Sequence, residues 1–459
     1  MTTSAIPTRS ARARDAFAAT VASVAGRASR AAHLGGGSSI PGVLLDVLSP
    51  GFAGHRAARL PGGVVLVSGT NGKTTVASMI RSILRATGDA TVGNDTGANL
   101  HRGIATALLE MPRDARSAVF EVDEAALPAT ARELAPRVLV LTNVFRDQMD
   151  RFGETERVVG LLGSAAAMLP VEGTVVANAD DPALWAAVGE RAPLAFGVTL
   201  PEATAGESVA FAREAELCPR CGARLVYDAH TIAHLGVWRC DACGLARPRP
   251  AIVGEVVSVE GLRSVRVRVD DDVVEVPTGG VHSAYNAVAA LAAAQALGLE
   301  RRTAIEALER FQPRFGRTER LEVDGRTVWL TLMKNPAGAD VLVRAIASDP
   351  RMGAVVLAVN DGLADGRDIS WIWDVDVERL VAEGHPFVAA GARADDMAVR
   401  VRYAGGEVDA VRPDLTEAIR GALEATPAGR DPVVLASYTA MLDLRAAFAG
   451  RRGRLHDAA

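Results

Sequence analysis

Residues 64–75 read Val-Val-Leu-Val-Ser-Gly-Thr-Asn-Gly-Lys-Thr-Thr: a β-branched run, a turn punctuated by Gly69 and Gly72, and a helix opening near Thr74. Backbone N–H groups of such a turn, with the positive end of a helix behind them, cradle phosphate oxygens. Gly69, Thr70, Asn71, Gly72, Lys73, Thr74 and Thr75 are therefore the expected nucleotide-binding residues. Lys73 would neutralise the outer phosphates, and the Thr74 hydroxyl would hold Mg²⁺. The strict pattern has glycine where Val67 stands, so the turn is the shorter Gly-Thr-Asn-Gly-Lys-Thr form. Lysine usage sharpens this reading. The chain has two lysines, Lys73 and Lys334, and its other long basic side chains are all arginine. A compact ammonium suits a phosphate in a way that a forked guanidinium does not reproduce.

From Val64 to about Leu200, apolar strands alternate with Ala-rich helices. Strands are expected over 118–122, 138–142 and 174–178, and helices after Thr74 and over 99–109 and 158–169. The alternation predicts a parallel α/β sheet with ligands at the C-terminal strand ends. Acidic residues fall at those ends: Glu121 and Asp123, then Asp147, then Asp180 and Asp181. A carboxylate there can hold the Mg²⁺ that bridges nucleotide phosphates, or be a solvated loop acid; Glu121 is the first choice for the metal.

All four cysteines lie in one cluster, Cys218-Pro-Arg-Cys221 and Cys240-Asp-Ala-Cys243, with 18 residues between the pairs. Each Cys-x₂-Cys knuckle places two thiolates on one side of a metal, so the set reads as a structural Zn²⁺ site in a reducing, cytoplasmic compartment. A redox dithiol pair is the competing reading. Gly222 and Gly244 suit the tight knuckle turns, while His230 and His234 read as surface or fold residues rather than ligands. A zinc ribbon can also bind nucleic acid, but the net charge of −5 and the absence of an aromatic-plus-basic stripe argue against it.

At 459 residues the chain predicts two or three domains. Residues 1–55 read as an N-terminal helix and linker, 56–316 as the central nucleotide-binding domain with the ribbon inserted at about 212–250, and 317–459 as a smaller C-terminal α/β domain. The first segment is Ala- and Arg-rich, with Phe17, Val21, Val24 and Ala25 at helical spacing; it suits either an anionic lipid surface or a neighbouring domain. No run of about 18 apolar residues is present, so no membrane span is expected. Residues 251–276 alternate as a β-hairpin, and Gly-Gly-Val-His282-Ser-Ala-Tyr-Asn286 opens an Ala-rich helix in which Asn286 can meet a base edge or merely cap.

In the C-terminal part a strand over 328–332 ends at Lys334-Asn-Pro-Ala-Gly, where the lysine faces a ligand or is a surface loop residue. A second strand, 355–359, ends at Asn360-Asp361-Gly, followed by Asp365, Asp368 and the pair Trp371 and Trp373. Acids beside aromatics suggest a site or a partner surface, or simply core.

Taken in order, Gly69-Thr-Asn-Gly-Lys73-Thr74, Glu121, Thr142-Asn143 with Asp147 and Asp150-Arg151, Asn178-Ala-Asp-Asp181, His282…Asn286-Ala and Gly316-Arg317-Thr-Glu319 resemble the motifs of the Mur ligase superfamily over roughly residues 60–340. The resemblance implies a Mur-ligase-type ATPase domain that activates a carboxylate as an acyl phosphate with ATP and Mg²⁺, after which an amine attacks. It implies Asn286 near adenine, Arg317 near phosphate, and Lys334 across the cleft as a cation for the acyl phosphate. The four-cysteine insertion and the Asn-Asp-x₃-Asp-Gly-Arg-Asp-x-Ser-Trp-x-Trp-Asp run resemble the branch that works with a GatD-like glutaminase subunit on a lipid-linked muropeptide. That likeness implies that one aspartate, Asp368 with Asp361 and Asp365 as rivals, completes the partner's glutaminase site. A work place at the inner face of the membrane would follow. Between Lys73 and Lys334 there is no lysine, so the carbamylated lysine that many Mur ligases use for a second Mg²⁺ cannot exist there. The rivals are a stand-alone amino-acid ligase of the folylpolyglutamate synthase kind and a nucleotide-gated zinc-ribbon protein that binds nucleic acid.

Overall fold

The computed structural model describes residues 9–31, 39–94, 99–146, 155–201, 215–313, 318–362 and 364–449. The first strand, β1 (Gly63–Ser68), lies inside a nine-stranded sheet, third from one edge. Around it are β2 (Thr91–Gly93), β3 (Ser117–Glu121), β4 (Val138–Leu141), β5 (Thr174–Asn178) and β6 (Leu194–Thr199). Two strands, β7 (Val226–Ile232) and β8 (Leu235–Arg239), leave the sheet as a separate antiparallel hairpin. The chain returns as β9 (Ile252–Glu260), β10 (Ser264–Val269) and β11 (Asp272–Val276). The order is β11-β10-β9-β6-β5-β4-β1-β3-β2, parallel from β2 through β9 and antiparallel from β9 to β11. The expected hairpin over 251–276 is thus a three-stranded meander that extends the central sheet and makes it mixed rather than purely parallel. Its alternation of arginine and valine has a plain cause: β10 is an edge-side strand with one wet face, and Arg266 and Arg268 point to it.

Side chains of a strand alternate between faces, and β1 feeds two cores in turn. Val65 and Val67 join the cluster under the helix Lys73–Ala86 and the helix Val281–Ala296. Val64 and Leu66 join the opposite cluster, which also takes Ala18, Leu45, Phe52 and Ala57 from the N-terminal helices Arg9–Ala31, Ser39–Leu48 and Phe52–Ala57. Those first helices therefore share the core of the sheet rather than forming a free leader. Val76, Met79, Ile80 and Ile83 bury one stripe of the helix after the turn, and each such side chain contributes about 1.5–3 kcal/mol. The alanine-rich helix 281–296 is buried on nearly all sides, which its small side chains permit.

The C-terminal sheet has six strands: β12 (Glu319–Val323), β13 (Arg326–Leu332), β14 (Met352–Ala358), β15 (Phe387–Ala390), β16 (Ala410–Arg412) and β17 (Asp431–Ala436). Their order is β12-β13-β17-β14-β15-β16, all parallel except the β12–β13 pair. Helices cover both faces, again over two apolar clusters. The β9–β10 turn joins the two sheets: Leu262 is buried in a C-terminal cluster, and Arg263 reaches Asp431 at 3.1 Å and lies 5.0 Å from the Trp329 ring centroid. Among the described residues, no helix is long and apolar enough to cross a membrane.

Candidate functional site

The strand order reverses beside β1, where β4 lies on one side and β3 on the other, and this is where open α/β sheets bind ligands. The turn after β1 fills that crevice. Gly69 and Gly72 both take positive φ, 124° and 89°. A Cβ on Gly69 would stand 2.4 Å from Thr142 Oγ1, and one on Gly72 would stand 2.3 Å from Asn286 Oδ1. The turn is held from the side by the segment after β4: Thr142 Oγ1 donates to Asn71 O at 2.7 Å, Asn71 N–H donates to Asn143 Oδ1 at 2.9 Å, and Phe145 N–H donates to Thr70 Oγ1 at 3.0 Å. These bonds hold the loop in shape from the side.

Two pairs of charged or polar groups stand where the helix 73–86 begins. Lys73 is buried, its ammonium donating to Gly69 O at 2.6 Å and to Glu124 Oε1 at 2.9 Å. Thr74 Oγ1 donates to Glu121 Oε2 at 2.7 Å. The two residues expected from the sequence to share Mg²⁺ thus meet directly. Asn94 fixes the carboxylate's strand end through both backbone groups of Glu121, donating to its carbonyl at 2.7 Å and accepting from its N–H at 3.0 Å. A hydroxyl, a carboxylate and a buried ammonium at a positive helix end match the needs of a triphosphate with a hard cation. The residues present fit ATP and Mg²⁺.

Glu124 and Asn94 escaped sequence reasoning. Glu124 could have been found as the third acid of Glu121-Val-Asp-Glu124; Asn94 carries no local signal. The acids after β5 have another duty. Asp181 caps the helix Pro182–Val188 and accepts from Val144 N–H at 2.8 Å. Asp180, fully buried, takes Arg247 Nε at 2.6 Å, Tyr285 Oη at 2.6 Å and Val198 N–H at 2.8 Å. Burial raises its pKa, and these partners oppose the rise. Both acids are fully buried and brace the site. Asp147, Asp150, Arg151 and Arg317 lie outside the described residues.

The C-terminal sheet closes the crevice from above. Asn335 caps the helix Pro336–Ala347, accepting from Gly338 N–H at 2.8 Å, and its Nδ2 donates to Asn71 Oδ1 at 3.0 Å. This amide pair ties the phosphate turn to the second sheet. The cleft beneath it holds about 890 Å³ including its open mouth, and Asn71, Gly72, Asn143, Asn286 and Lys334 line it. Asn286 falls in the second turn of its helix and abuts the Gly72 backbone. Lys334 also borders a smaller pocket toward Asp365 and Trp371.

The four cysteine sulfurs lie within 4.8 Å of one another, with Cys218 and Cys243 at 3.6 Å and Cys221 and Cys240 at 3.5 Å. Gly222 and Gly244 take positive φ, and the knuckles repeat one hydrogen-bond pattern, Gly222 N–H to Cys218 O and Gly244 N–H to Cys240 O. The backbone N–H of Cys243 draws the Cys240 thiol down to about 7. Four convergent soft ligands fit a tetrahedral Zn²⁺ with no open position. Trp238 anchors the ribbon, fully buried and donating from Nε1 to Ala179 O at 3.1 Å. The hairpin tip reaches the nucleotide crevice: Ile232 and Leu235 line it, and the buried His234 ring lies 4.8 Å from Phe145. His234 is a fold residue, as its sequence context suggested, and His230 stacks on Tyr227.

Three aspartates of the C-terminal domain differ sharply. Asp365 is engaged by Thr439, whose N–H donates at 2.8 Å and whose hydroxyl also donates. Asp361 pairs with Arg393 at 3.3 Å. Asp368 is exposed and bonded locally to Ser370, whose N–H at 2.8 Å and side chain hold its carboxyl below the usual range.

This fold and crevice define an ATP-dependent ligase of the Mur type. The Mur ligase middle domain model matches residues 67–208, and the MurT ligase C-terminal model matches residues 332–441. Solved structures share the fold: a pseudomurein peptide ligase type C from Methanothermus fervidus (TM-score 0.66, 22% identity, covering 85% of this chain and 79% of that one) and MurF from Acinetobacter baumannii (TM-score 0.64, 18% identity, 90% and 81%). Folylpolyglutamate synthase of Mycobacterium tuberculosis shares it too (TM-score 0.57, 18% identity, 89% and 94%). The sequence is 32% identical over 441 residues to the MurT subunit of the glutamine-hydrolysing lipid II isoglutaminyl synthase of Streptococcus pneumoniae, covering 94% of this chain and 97% of that one. It is 30% identical over 394 residues to the Staphylococcus aureus (strain COL) MurT subunit, covering 84% and 87%. The chain belongs to the MurT family of Mur ligases.

Proposed function

We propose that this chain is the synthetase subunit of a lipid II isoglutaminyl synthase. It would amidate the α-carboxylate of D-glutamate in the lipid-borne peptidoglycan stem peptide, with ammonia from a GatD-like glutaminase, at the inner face of the membrane. The observation that carries this reading is the crevice with Asn71, Gly72 and Asn286 on one wall and Lys334 and Asn335 on the other, beside the helix start where Thr74 meets Glu121, in a chain similar to MurT subunits over nearly its whole length.

The residues divide the work as follows. The 69–75 turn binds the triphosphate, with Asn286 set against it toward the base. Lys73 exchanges its Glu124 partner for the outer phosphates. Thr74 and Glu121 would hold Mg²⁺, which when bound offsets charge on the transferring phosphoryl group. The substrate carboxylate oxygen attacks the γ-phosphorus, ADP leaves, and a mixed anhydride results. Lys334 holds that acyl phosphate. Ammonia adds to the acyl carbon, inorganic phosphate leaves with the C–O pair, and a proton from nitrogen passes to solvent. Closure of the C-terminal sheet on the crevice keeps water from the anhydride. Asp368, exposed and unspent, completes the glutaminase site of the partner. The cysteines would hold a structural Zn²⁺.

The test uses ¹⁸O. Labelled stem-peptide carboxylate, ATP, glutamine and both subunits should release phosphate carrying one ¹⁸O per amide formed. Phosphate without label would overturn the anhydride. Asp368→Asn should abolish glutamine-driven amidation while free ammonia still supports it; loss of both would remove Asp368 from that role.

A further inference from the structure

The first 48 residues carry Arg9, Arg12, Arg14, Arg27 and Arg30 against Asp15 and Asp46, a formal surplus of three positive charges in a chain whose net charge is −5. Both carboxylates are taken up locally. Asp15 is buried and bonded to Ser49 Oγ and to His55 at 3.0 Å. Asp46 pairs with His101 at 3.2 Å and Arg102 at 3.7 Å.

Helical spacing sorts the rest. In the helix Arg9–Ala31, Asp15, Ala18 and Ala22 face the core, and Phe17 and Val24, two turns apart on the outer face, are 62% and 59% exposed. In the helix Ser39–Leu48, Leu45 is buried, and Ile40, Val43 and Val47 form the i, i+3, i+7 stripe on the other side, with Val47 72% exposed. The two helices pack against each other, and the second also packs on the helix His101–Leu109, whose N-cap Leu100 is 52% exposed. The exposed side chains Arg14 and Arg27 stand on the flanks of the Phe17–Val24 face.

We infer that this two-helix face docks on an anionic bilayer surface: the apolar stripes enter the headgroup boundary, and the flanking guanidiniums meet lipid phosphates. An apolar stripe with arginines at its edges, Asp15 buried and Asp46 paired with His101 and Arg102 complements such a surface. The C-terminal residues 450–459 carry three arginines of their own, so like charge disfavours that tail as the cover. The purpose of docking, presenting the crevice to a lipid-borne substrate, rests on the function proposed above; the docking itself does not.

Flotation of the full chain with vesicles tests it, using phosphatidylcholine alone and phosphatidylcholine with phosphatidylglycerol. The chain should float with the anionic vesicles and not with the neutral ones, and high salt should release it. Phe17→Glu with Val47→Glu should lower the bound fraction about tenfold without changing the melting temperature. Arg14→Glu with Arg27→Glu should erase the preference for anionic vesicles. Val171→Glu, at a 90% exposed site in the loop before β5, should change nothing. No flotation, or equal flotation by the Phe17/Val47 variant, overturns the inference. So does a dimer that this variant dissolves, since the face would then join two copies. Flotation without amidation would sink the proposed function alone; amidation of lipid-borne substrate without flotation would sink the docking alone.

Discussion

Single residues decide the chemistry, and Lys73 is the clearest case. Its ammonium touches Gly69 O, Thr70 O and Glu124 in a buried setting. A guanidinium is wider and planar and cannot enter that space without moving the turn. Lys73→Arg should lower amidation at least about a thousandfold while the melting temperature changes little, as checked by single-turnover assay and calorimetry. Asp340 offers a pH prediction. It is buried on the helix 336–347 with Oδ1 accepting from Asp376 N–H at 2.8 Å, and Oδ2 has no hydrogen-bond partner among the described residues. Burial raises its pKa to about 7, from 3.8. Ionising it therefore costs stability that is absent below pH 4, grows as pH rises toward 7 and is constant above, with an upper limit of about 4 kcal/mol. Asp340→Asn should be the more stable form at pH 8, and the gap should shrink as pH falls toward 4 in denaturant titrations. Lys73 and Thr74 at the start of their helix were legible in the sequence because a local motif carries them, and Glu121 because it ends a strand of the same alternating pattern. The Lys73–Glu124 and Asn94–Glu121 contacts were not, because each joins distant segments that only the sheet order brings together.

Elements carry the next level. The ribbon was legible as a metal knuckle pair, since spacing alone brings four sulfurs together. Its placement was not. The hairpin tip supplies Ile232 and Leu235 to the nucleotide crevice, while Thr231 meets the Tyr285 hydroxyl and Trp238 locks the base. Metal removal should therefore reach the nucleotide. Chelation should release one Zn²⁺ per chain, lower the melting temperature and weaken ATP binding about tenfold, or about 1.4 kcal/mol. Elemental analysis with calorimetric titration checks both; ATP affinity unchanged after full release would confine the ribbon to a local role. The meander β9–β11 shows the opposite failing. Its alternation was legible, but period two cannot say which sheet a strand joins, and here the partner is β6, more than 50 residues upstream.

Among the described residues, the two large sheets are joined at the β9–β10 turn and along the helix 336–347, whose Ala337 and Val341 are buried in the central core. The β9–β10 turn is plugged into the C-terminal core, and Asn71 meets Asn335 across the crevice. The turn suits a pivot; the amide pair, beside the apolar contact of Ala337 and Val341, suits a latch. Asn335→Asp keeps the cap acceptor of its helix but loses the Nδ2 donor to Asn71. It should leave stability within about 0.5 kcal/mol and slow amidation about fivefold, whereas Asn335→Ala should also lose about 1 kcal/mol of cap stability. Stopped-flow turnover beside thermal melts separates the two. The sparing use of lysine has a practical corollary. Lys334 borders the crevice and Lys73 follows Gly72 on its opposite wall, and no other side chain offers a primary amine. An acylating amine reagent would thus mark little besides the start of the chain and these two positions, and a bound nucleotide should shield both at once, so peptide mapping reads occupancy without an engineered tag.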